Sequence, residues 1–409
     1  MDQGALYLTL CIIVLSARIC GEASARAGMP PVLGELLAGV LLGPSVLGAV
    51  APAEIITFLA EIGILLFIFG IGLESDLGRL VSAGKDAALV AVSGVILPIV
   101  LIYPAMRLFG FSTPVSLFAA GAMTATSIGV TMRVLQDLGH LETPAGQTVL
   151  GAAVLDDILG IVLLALLLDG SGGGDYSWWV MARILLVVAV VLCVTPLFSA
   201  HLTHGLEFLR ERRKVPGLLP SVHVASLFFF AWASRLFGVP EILGAFSAGL
   251  LISQEHNFIL GKRIRVSREF VKLLHDRIQP VMQLLTPIFF VNVGLGVNLR
   301  EIPWTSPLVW GLGTVLLVLA VIGKCLAGMA ATNLGLRGRL LVGMAMVPRA
   351  EVGLIFAELG RSAGLFDPGL HAVLIAVVIA TTFFPPLFLR YLIPRKNPPE
   401  ELPLDSQIE

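Results

Sequence analysis

Long apolar runs, each bounded by Gly, Pro or charged residues, follow one another along almost the whole chain. Most of them reach or approach the roughly 17–25 residues that an α-helix needs to cross a bilayer. Thirteen such runs predict an all-α polytopic membrane protein of about 13 transmembrane helices. The predicted spans are 5–25, 31–48, 55–73, 86–108, 114–134, 143–168, 177–200, 220–237, 241–256, 272–294, 306–333, 340–360 and 370–392.

Basic residues separate strongly between the two sides that thirteen alternating spans define. Of the 27 Lys and Arg, 20 fall on one side and five on the other, while Lys324 and Arg349 lie inside spans. Cytoplasmic loops of membrane proteins carry an excess of Lys and Arg. We therefore expect a multi-pass membrane protein with its N-terminus outside and its C-terminus in the cytoplasm.

Composition removes several classes of function. Hydrophobic residues make up 56% of the chain and charged residues 13%, against about 25% charge in soluble domains. The net charge of −1 gives no reason to expect a nucleic-acid partner. The sequence has no HExxH or P-loop motif and no His/Cys cluster at metal-ligand spacing, and its one GxSxG match, GRSAG (360–364), ends a predicted span instead of joining a strand to a helix. We expect neither an enzyme nor a bound cofactor, but a transporter in a lipid bilayer.

Two segments repeat. Residues 28–42 (GMPPVLGELLAGVLL) match residues 238–252 (GVPEILGAFSAGLLI) at seven of fifteen positions, mostly Gly and Pro. A second pair, 67–77 and 289–299, follows at nearly the same offset. Corresponding spans lie seven apart, an odd number, so the two halves have opposite orientations. Such an inverted repeat, here 6+1+6 helices, is a hallmark of secondary transporters.

The repeat predicts how the chain is organised and where a site lies. The expected segments are 1–176 (first six-helix repeat), 177–219 (linker helix and basic cytoplasmic loop), 220–393 (second repeat) and 394–409 (short disordered cytoplasmic tail). In such proteins the site forms where discontinuous helices meet near the midplane. Segment 121–132 is rich in Gly, Ser and Thr, and its counterpart 343–356 contains Pro348. Both are therefore predicted to be broken helices.

Five charged side chains are predicted to lie inside spans, and Asp156 and Asp157 are adjacent in the apolar run 148–168. Each ionised acid at that depth costs roughly 2.5–3.5 kcal/mol, so such residues mark ion or proton pathways by default. Neighbours on a helix point about 100° apart, so one acid can pair with Lys324 while the other faces a cavity. Buried ion pairing without any transport role is the alternative.

The remaining candidates leave two interpretations open. Arg349 and Glu351 can satisfy each other or the broken helix ends. Thr126 and Ser127 can lend hydroxyl oxygens to a cation or cap those ends. Carboxylate, hydroxyl and carbonyl oxygens suit hard cations, so a monovalent cation at Asp156 and Asp157 is expected. Glu35 and Glu61 lie close to span ends and are expected at the membrane interface.

Four motifs together resemble a known family. They are GMPPVLGELLAGVLLGPS (28–45), AAVLDDILG (152–160), Lys324, and VPRAEVGLIF (347–356). The chain resembles the monovalent cation:proton antiporters, in the branch that includes bacterial Na⁺/H⁺ antiporters and glutathione-gated K⁺ efflux proteins. One departure is Ala350, where the family pattern leads us to expect Gly.

The resemblance implies a mobile core domain that slides, as an elevator does, against a fixed dimerisation domain. It implies that Asp157 is the principal cation and proton carboxylate, that Asp156 pairs with Lys324, and that Thr126 and Ser127 line the site. The short sequence after Arg390 leaves no room for the nucleotide-binding regulatory domain of the gated K⁺ efflux proteins. That favours a free-standing antiporter.

We therefore expect an electrogenic antiporter of a bacterial plasma membrane that exchanges Na⁺ or Li⁺ for H⁺, acts in pH homeostasis and forms a homodimer. K⁺/H⁺ exchange on the same fold is the nearest alternative, and a channel or a non-transporting membrane sensor is a more distant one. An intramembrane aspartyl protease needs its two acids on different helices and a GxGD motif. Here the two acids are adjacent on one span, and the one GxGD match, GGGD (172–175), lies in a predicted loop between spans.

Overall fold

The structure, a computed structural model, describes residues 3–51, 53–75, 77–171, 218–237, 239–252, 256–257, 263–264 and 268–393. Within these ranges the chain is almost entirely helical. The helices are α1 (Gln3–Arg26), α2 (Pro31–Leu42), α3 (Glu54–Glu74), α4 (Leu77–Ser82), α5 (Gly84–Leu108), α6 (Thr113–Ala122), α7 (Ile128–Asp137), α8 (Pro144–Ser171), α9 (Leu218–Leu236), α10 (Glu241–Ile252), α11 (Arg268–Leu295), α12 (Pro307–Gly328), α13 (Leu336–Ala345), α14 (Ala350–Ser362) and α15 (Pro368–Leu392). A minimal antiparallel pair, β1 (His256–Asn257) and β2 (Arg263–Ile264), lies between α10 and α11.

Seven of these helices are long and apolar enough to cross a membrane, namely α1, α3, α5, α8, α11, α12 and α15. The bent pair α13 and α14 makes an eighth span if it is counted as one, and α2, α6 and α10 are shorter apolar helices. The predicted polytopic all-α fold is therefore confirmed. The predicted span 177–200, the basic stretch 210–214 and the tail 394–409 lie outside the described residues.

Proline and glycine residues mark many helix ends. Pro144, Pro307 and Pro368 each stand at the start of a helix, where a missing N–H is harmless and a fixed φ suits the first turn. Gly139 (φ +65°) follows α7 and Gly364 (φ +70°) follows α14, both in the left-handed region that glycine tolerates. These local signals limit the lengths of the helices that surround the site.

Two predicted spans are each divided into two helices. The segment predicted at 114–134 consists of α6 and α7, separated by residues 123–127. The segment predicted at 340–360 consists of α13 and α14, bent by 48° at residues 346–349. The expected broken helices are therefore confirmed.

The helices pack in two groups. The first, called the scaffold here, contains α1, α2, α3, α9, α10 and α11. The second, called the core, contains α4 to α8 and α12 to α15. The short helix α7 belongs to the core but also packs against α2 and α3. Its face is therefore part of the boundary between the two groups.

Glycines that match in the sequence repeat make corresponding contacts in the scaffold. Gly39 of α2 lies against Gly294 of α11, and Gly249 of α10 lies against Gly72 of α3, so closely that a Cβ at any of the four would overlap backbone. Gly34 meets the backbone of α1 at Cys20, as its counterpart on α10 meets α9. Small residues let membrane helices approach this closely. Both halves carry Gly at the same positions of the repeat because two helix backbones are in direct contact there.

Candidate functional site

The two broken helices cross at their interruptions and are joined there by hydrogen bonds. The Ser127 N–H donates to Pro348 O at 2.8 Å. The Thr126 hydroxyl donates to Met346 O at 2.9 Å, and the Thr131 hydroxyl donates to Ala345 O at the same distance. Backbone groups freed by the two breaks are thus satisfied across the crossing, as a non-helical segment at membrane depth requires.

Arg349 lies at the C-terminal ends of α6 and α13, where backbone carbonyl groups lack helical partners. Its Nε donates to Met123 O at 3.1 Å, and Nη2 contacts the same oxygen. Nη1 donates to Val347 O at 2.6 Å, and the residue is fully buried. Residues 123 and 347 follow the last turns of α6 and α13, where helices carry partial negative charge. The guanidinium neutralises these ends.

Glu351 has the complementary position. It lies in the first turn of α14 and accepts hydrogen bonds from Ser127 Oγ at 2.9 and 2.7 Å. Ser127 is the N-cap of α7, where its Oγ also accepts from Val130 N. Acids are stabilised at helix N-termini. Between the two interpretations left open, Arg349 and Glu351 serve the helix ends, and the described residues contain no ion pair between them.

Asp156 and Lys324 meet in the core, between α8 and α12. Lys324 Nζ lies 3.3 Å from Asp156 Oδ2 and 3.4 Å from Oδ1, and the two side chains are 0% and 1% exposed. Gly94 of α5 makes room for the ammonium group, since a Cβ there would lie 3.3 Å from Nζ. The pair is desolvated, so each charge depends on the other.

Asp157 differs from the other four charged side chains predicted inside spans. It is half-buried, and the described part of the chain offers its carboxylate no hydrogen bond and no ion pair. The charged groups that act on it, Asp156 and Glu351, are both acidic. The formal charges of the other four residues sum to zero. Asp157 is therefore a carboxylate that can take up a proton or a monovalent cation.

Ala350 occupies an unusual backbone position in the second break. Its φ is +28°, in the left-handed region, and its N–H donates to Thr382 Oγ1 at 3.0 Å. A side chain raises the energy of this conformation. The departure from the family pattern noted above thus falls where glycine would fit without strain.

Two buried carboxylates were not expected from sequence. Glu35, expected at the membrane interface, is instead buried and lies 3.7 Å from Arg133 on α7. Asp86 of α5 is also buried and accepts from the N–H groups of Thr332 and Asn333 in the turn after α12. Both stand within a turn or two of a helix start. Such positions look interfacial in sequence, because only the fold reveals what covers them.

Comparison with known proteins agrees with this geometry. The model of the transmembrane sodium/hydrogen exchanger family matches residues 11–392. The high-affinity Na⁺/H⁺ antiporter NhaS3 of Synechocystis is 32% identical over 94% of this chain and 89% of its own length. The Na⁺/H⁺-K⁺ antiporter GerN of Bacillus cereus is 31% identical over 96% of this chain and 97% of its own length.

A solved structure supports the fold independently. The sodium proton antiporter MjNhaP1 of Methanocaldococcus jannaschii superposes with a TM-score of 0.65, covering 95% of this chain and 96% of that one. At 13% identity this likeness concerns the fold alone. With the family match over nearly the full chain, the broken-helix crossing identifies the protein as a member of the sodium/hydrogen exchanger family.

Proposed function

We propose that this protein is a secondary antiporter that exchanges Na⁺ for H⁺ across the membrane, with Asp157 as the shared binding group. The single observation that carries the proposal is the half-buried Asp157 carboxylate, which has no partner among the described residues and lies beside a crossing whose other charges all have one. Two relatives named Na⁺/H⁺ antiporters, from Synechocystis and Enterococcus hirae, support the same activity.

The Asp157 carboxylate binds Na⁺ and H⁺ alternately. When Asp157 holds a proton it cannot bind Na⁺, and when it holds Na⁺ the proton has left. Neighbouring oxygens of Asp156, Thr126 and Ser127 complete the kind of site that a hard cation prefers. The Thr126 and Ser127 hydroxyls donate elsewhere, and Ser127 Oγ also accepts from Val130 N, so each hydroxyl keeps at least one lone pair for a cation. Li⁺, another hard monovalent cation, fits the same donor set.

Charge counting relates stoichiometry to Lys324. If Asp156, Lys324, Arg349 and Glu351 all keep their charges, a core with Na⁺ and a core with H⁺ carry equal charge, and exchange is electroneutral. If Lys324 also releases its proton when Na⁺ binds, two protons exchange for one Na⁺ and one charge moves per cycle. We propose this electrogenic form, since Lys324 faces Asp156 one residue from the binding group.

The movement we propose is a sliding of the core against the scaffold, as in an elevator. Broken helices and Asp157 all belong to the core, so the site travels with it. The scaffold would form the contact of a homodimer, for which α1 offers an exposed apolar face at Tyr7, Leu15 and Ile19. The setting would be a bacterial plasma membrane, N-terminus outside and C-terminus in the cytoplasm.

K⁺/H⁺ exchange is the second candidate. One observation favours it, since GerN, which is 31% identical over 96% of this chain, is named an Na⁺/H⁺-K⁺ antiporter. Carboxylate and hydroxyl oxygens accept both ions. The two activities therefore differ in selectivity at one site and need no second set of residues.

Transport by purified protein in proteoliposomes tests the function. Gradients of Na⁺, Li⁺ or K⁺ are imposed in turn while internal pH and membrane potential are recorded. Asp157→Asn cannot ionise, so we expect it to abolish cation-driven proton movement. The matched control is Glu61→Gln, which neutralises an exposed carboxylate on α3 and should leave exchange intact. Robust exchange by folded Asp157→Asn would overturn the shared site, and a response to K⁺ alone would select the second candidate.

A further inference from the structure

The end of α7 and the start of α2 are joined across the boundary between core and scaffold. Arg133 and Asp137 of α7 pair with each other, with Arg133 Nε 3.1 Å from Asp137 Oδ1. Asp137 Oδ2 also accepts from the N–H of Val32, at the free N-terminal end of α2. Arg133 Nη2 lies 3.7 Å from Glu35 Oε1, one turn further along α2. Arg133 and Asp137 of the core thus both contact the scaffold helix α2.

Glu35 depends on this contact. It is 2% exposed, and its Oε2 has no hydrogen-bond partner among the described residues. The other charged groups that act on it are Asp137, which repels it, and Arg18 of α1, whose guanidinium is engaged with Gln283 O. Arg133 also lies over the Phe67 ring of α3, at 5.9 Å from its centre. Arg133 is therefore the ion-pair partner of Glu35 and contacts two scaffold helices, α2 and α3.

We propose that Glu35 and Arg133 form a latch between scaffold and core, which stabilises the arrangement seen here and must open each time the core slides. Asp137 regulates the latch by competing for the same guanidinium. The proposal rests on the elevator movement proposed above. It adds two positioning residues that touch neither the transported ion nor Asp157.

The geometry determines which position of the core the latch favours. Arg133 and Asp137 are one turn apart on α7, so they move together when the core moves and stay paired. Glu35 stays with α2, and sliding leaves its buried charge without a partner. An unpartnered buried charge is strongly unfavourable. Other positions of the core are therefore disfavoured relative to this one for as long as Glu35 is ionised and Arg133 is present.

Distances between spin labels test the latch directly. Labels are attached to cysteines at Lys85 of the core and Asp276 of the scaffold, both exposed, after the native cysteines are replaced. The ratio of molecules with the label distance of this structure to molecules with other distances is the quantity measured. Glu35→Gln and Arg133→Gln should each lower that ratio by about fivefold or more. The double variant should behave like either single one, because the same contact is lost in each.

A variant with the opposite effect separates a latch from general damage. Asp137→Asn keeps an oxygen for the Val32 N–H but removes the charge that competes with Glu35, so the population seen here should rise. The control is Glu358→Gln, which breaks an exposed ion pair with Arg361 within α14 and should change nothing. If Glu35→Gln and Asp137→Asn shift the populations in the same direction, or neither shifts them, the latch is refuted.

Transport by the same variants keeps this outcome apart from that of the proposed function. Both latch variants retain Asp157, so exchange should persist with an altered rate. Unchanged label distances beside normal Na⁺/H⁺ exchange would reject the latch and leave the function standing. Loss of exchange in wild-type protein would reject the function, whatever the labels report.

Discussion

The buried pair between Asp156 and Lys324 allows a quantitative prediction. Lys324→Met keeps most of the aliphatic volume of the lysine, so little cavity forms, but it removes the ammonium that lies 3.3 Å from Asp156. Because both side chains are essentially unexposed, the remaining carboxylate loses its ion-pair partner in a site that solvent does not reach. Breaking a buried pair from one side costs about 3–5 kcal/mol.

The double variant Asp156→Asn with Lys324→Met should recover much of that loss. It leaves no buried charge at this position, and replacing a buried pair by neutral groups is often close to neutral in stability. Each single variant should therefore lose about 3–5 kcal/mol, and the double variant about 2 kcal/mol or less, so the coupling is at least about 4 kcal/mol.

Unfolding of purified protein in detergent, followed by tryptophan fluorescence against denaturant, measures these values in a double-mutant cycle. The matched control is the exposed pair Glu358 and Arg361, at 2.6 Å, for which we expect no measurable coupling because solvent screens it. Additive losses for Asp156 and Lys324, within about 0.5 kcal/mol, would refute the pairing as a source of stability. The Lys324 variant should also lose the response of exchange to membrane potential.

Three further predictions follow from other parts of the structure. Lowering pH should raise the apparent KM for Na⁺, because protons and Na⁺ occupy Asp157 in turn, and a KM indifferent to pH would contradict a shared site. Ala350→Gly should stabilise the protein by about 0.5–1 kcal/mol, since relief of a left-handed alanine exceeds the entropy that glycine loses, and the same denaturant assay measures it. Single cysteines at Ser171 and Ser267 should differ toward an impermeant thiol reagent in intact cells, with 171 labelled and 267 protected; the reverse would invert the topology.

Local patterns predicted the fold well, and the reason is visible at particular residues. Hydropathy alone located most spans, and the clusters of small and polar residues at 121–132 and 343–356 indicated the breaks, since a helix in lipid is interrupted only where its freed backbone groups find partners. The Gly-rich repeat indicated the inverted halves. In each case the signal lies within a few consecutive residues.

The partners of individual side chains were less predictable. Glu35 reads as interfacial because it is the fifth residue of its predicted span, yet α7 covers it, and α7 is about 100 residues away in sequence. Arg349 and Glu351 are two residues apart, which suggests mutual pairing, yet each turns to a different half-helix end. Such choices depend on which distant elements meet, and one sequence does not contain that information.

The glycine crossings of the scaffold affect how the protein is made. Each joins one half of the chain to the other, since Gly39 meets Gly294 and Gly72 meets Gly249. Gly294 is synthesised 255 residues after Gly39, which at 5–20 residues per second is a delay of roughly 13–50 s. Until Gly294 and Gly249 are inserted, we expect lipid acyl chains to occupy the notches at Gly39 and Gly72. Completing the scaffold is then an exchange, in which the arriving second half displaces lipid from sites that the first half has already built.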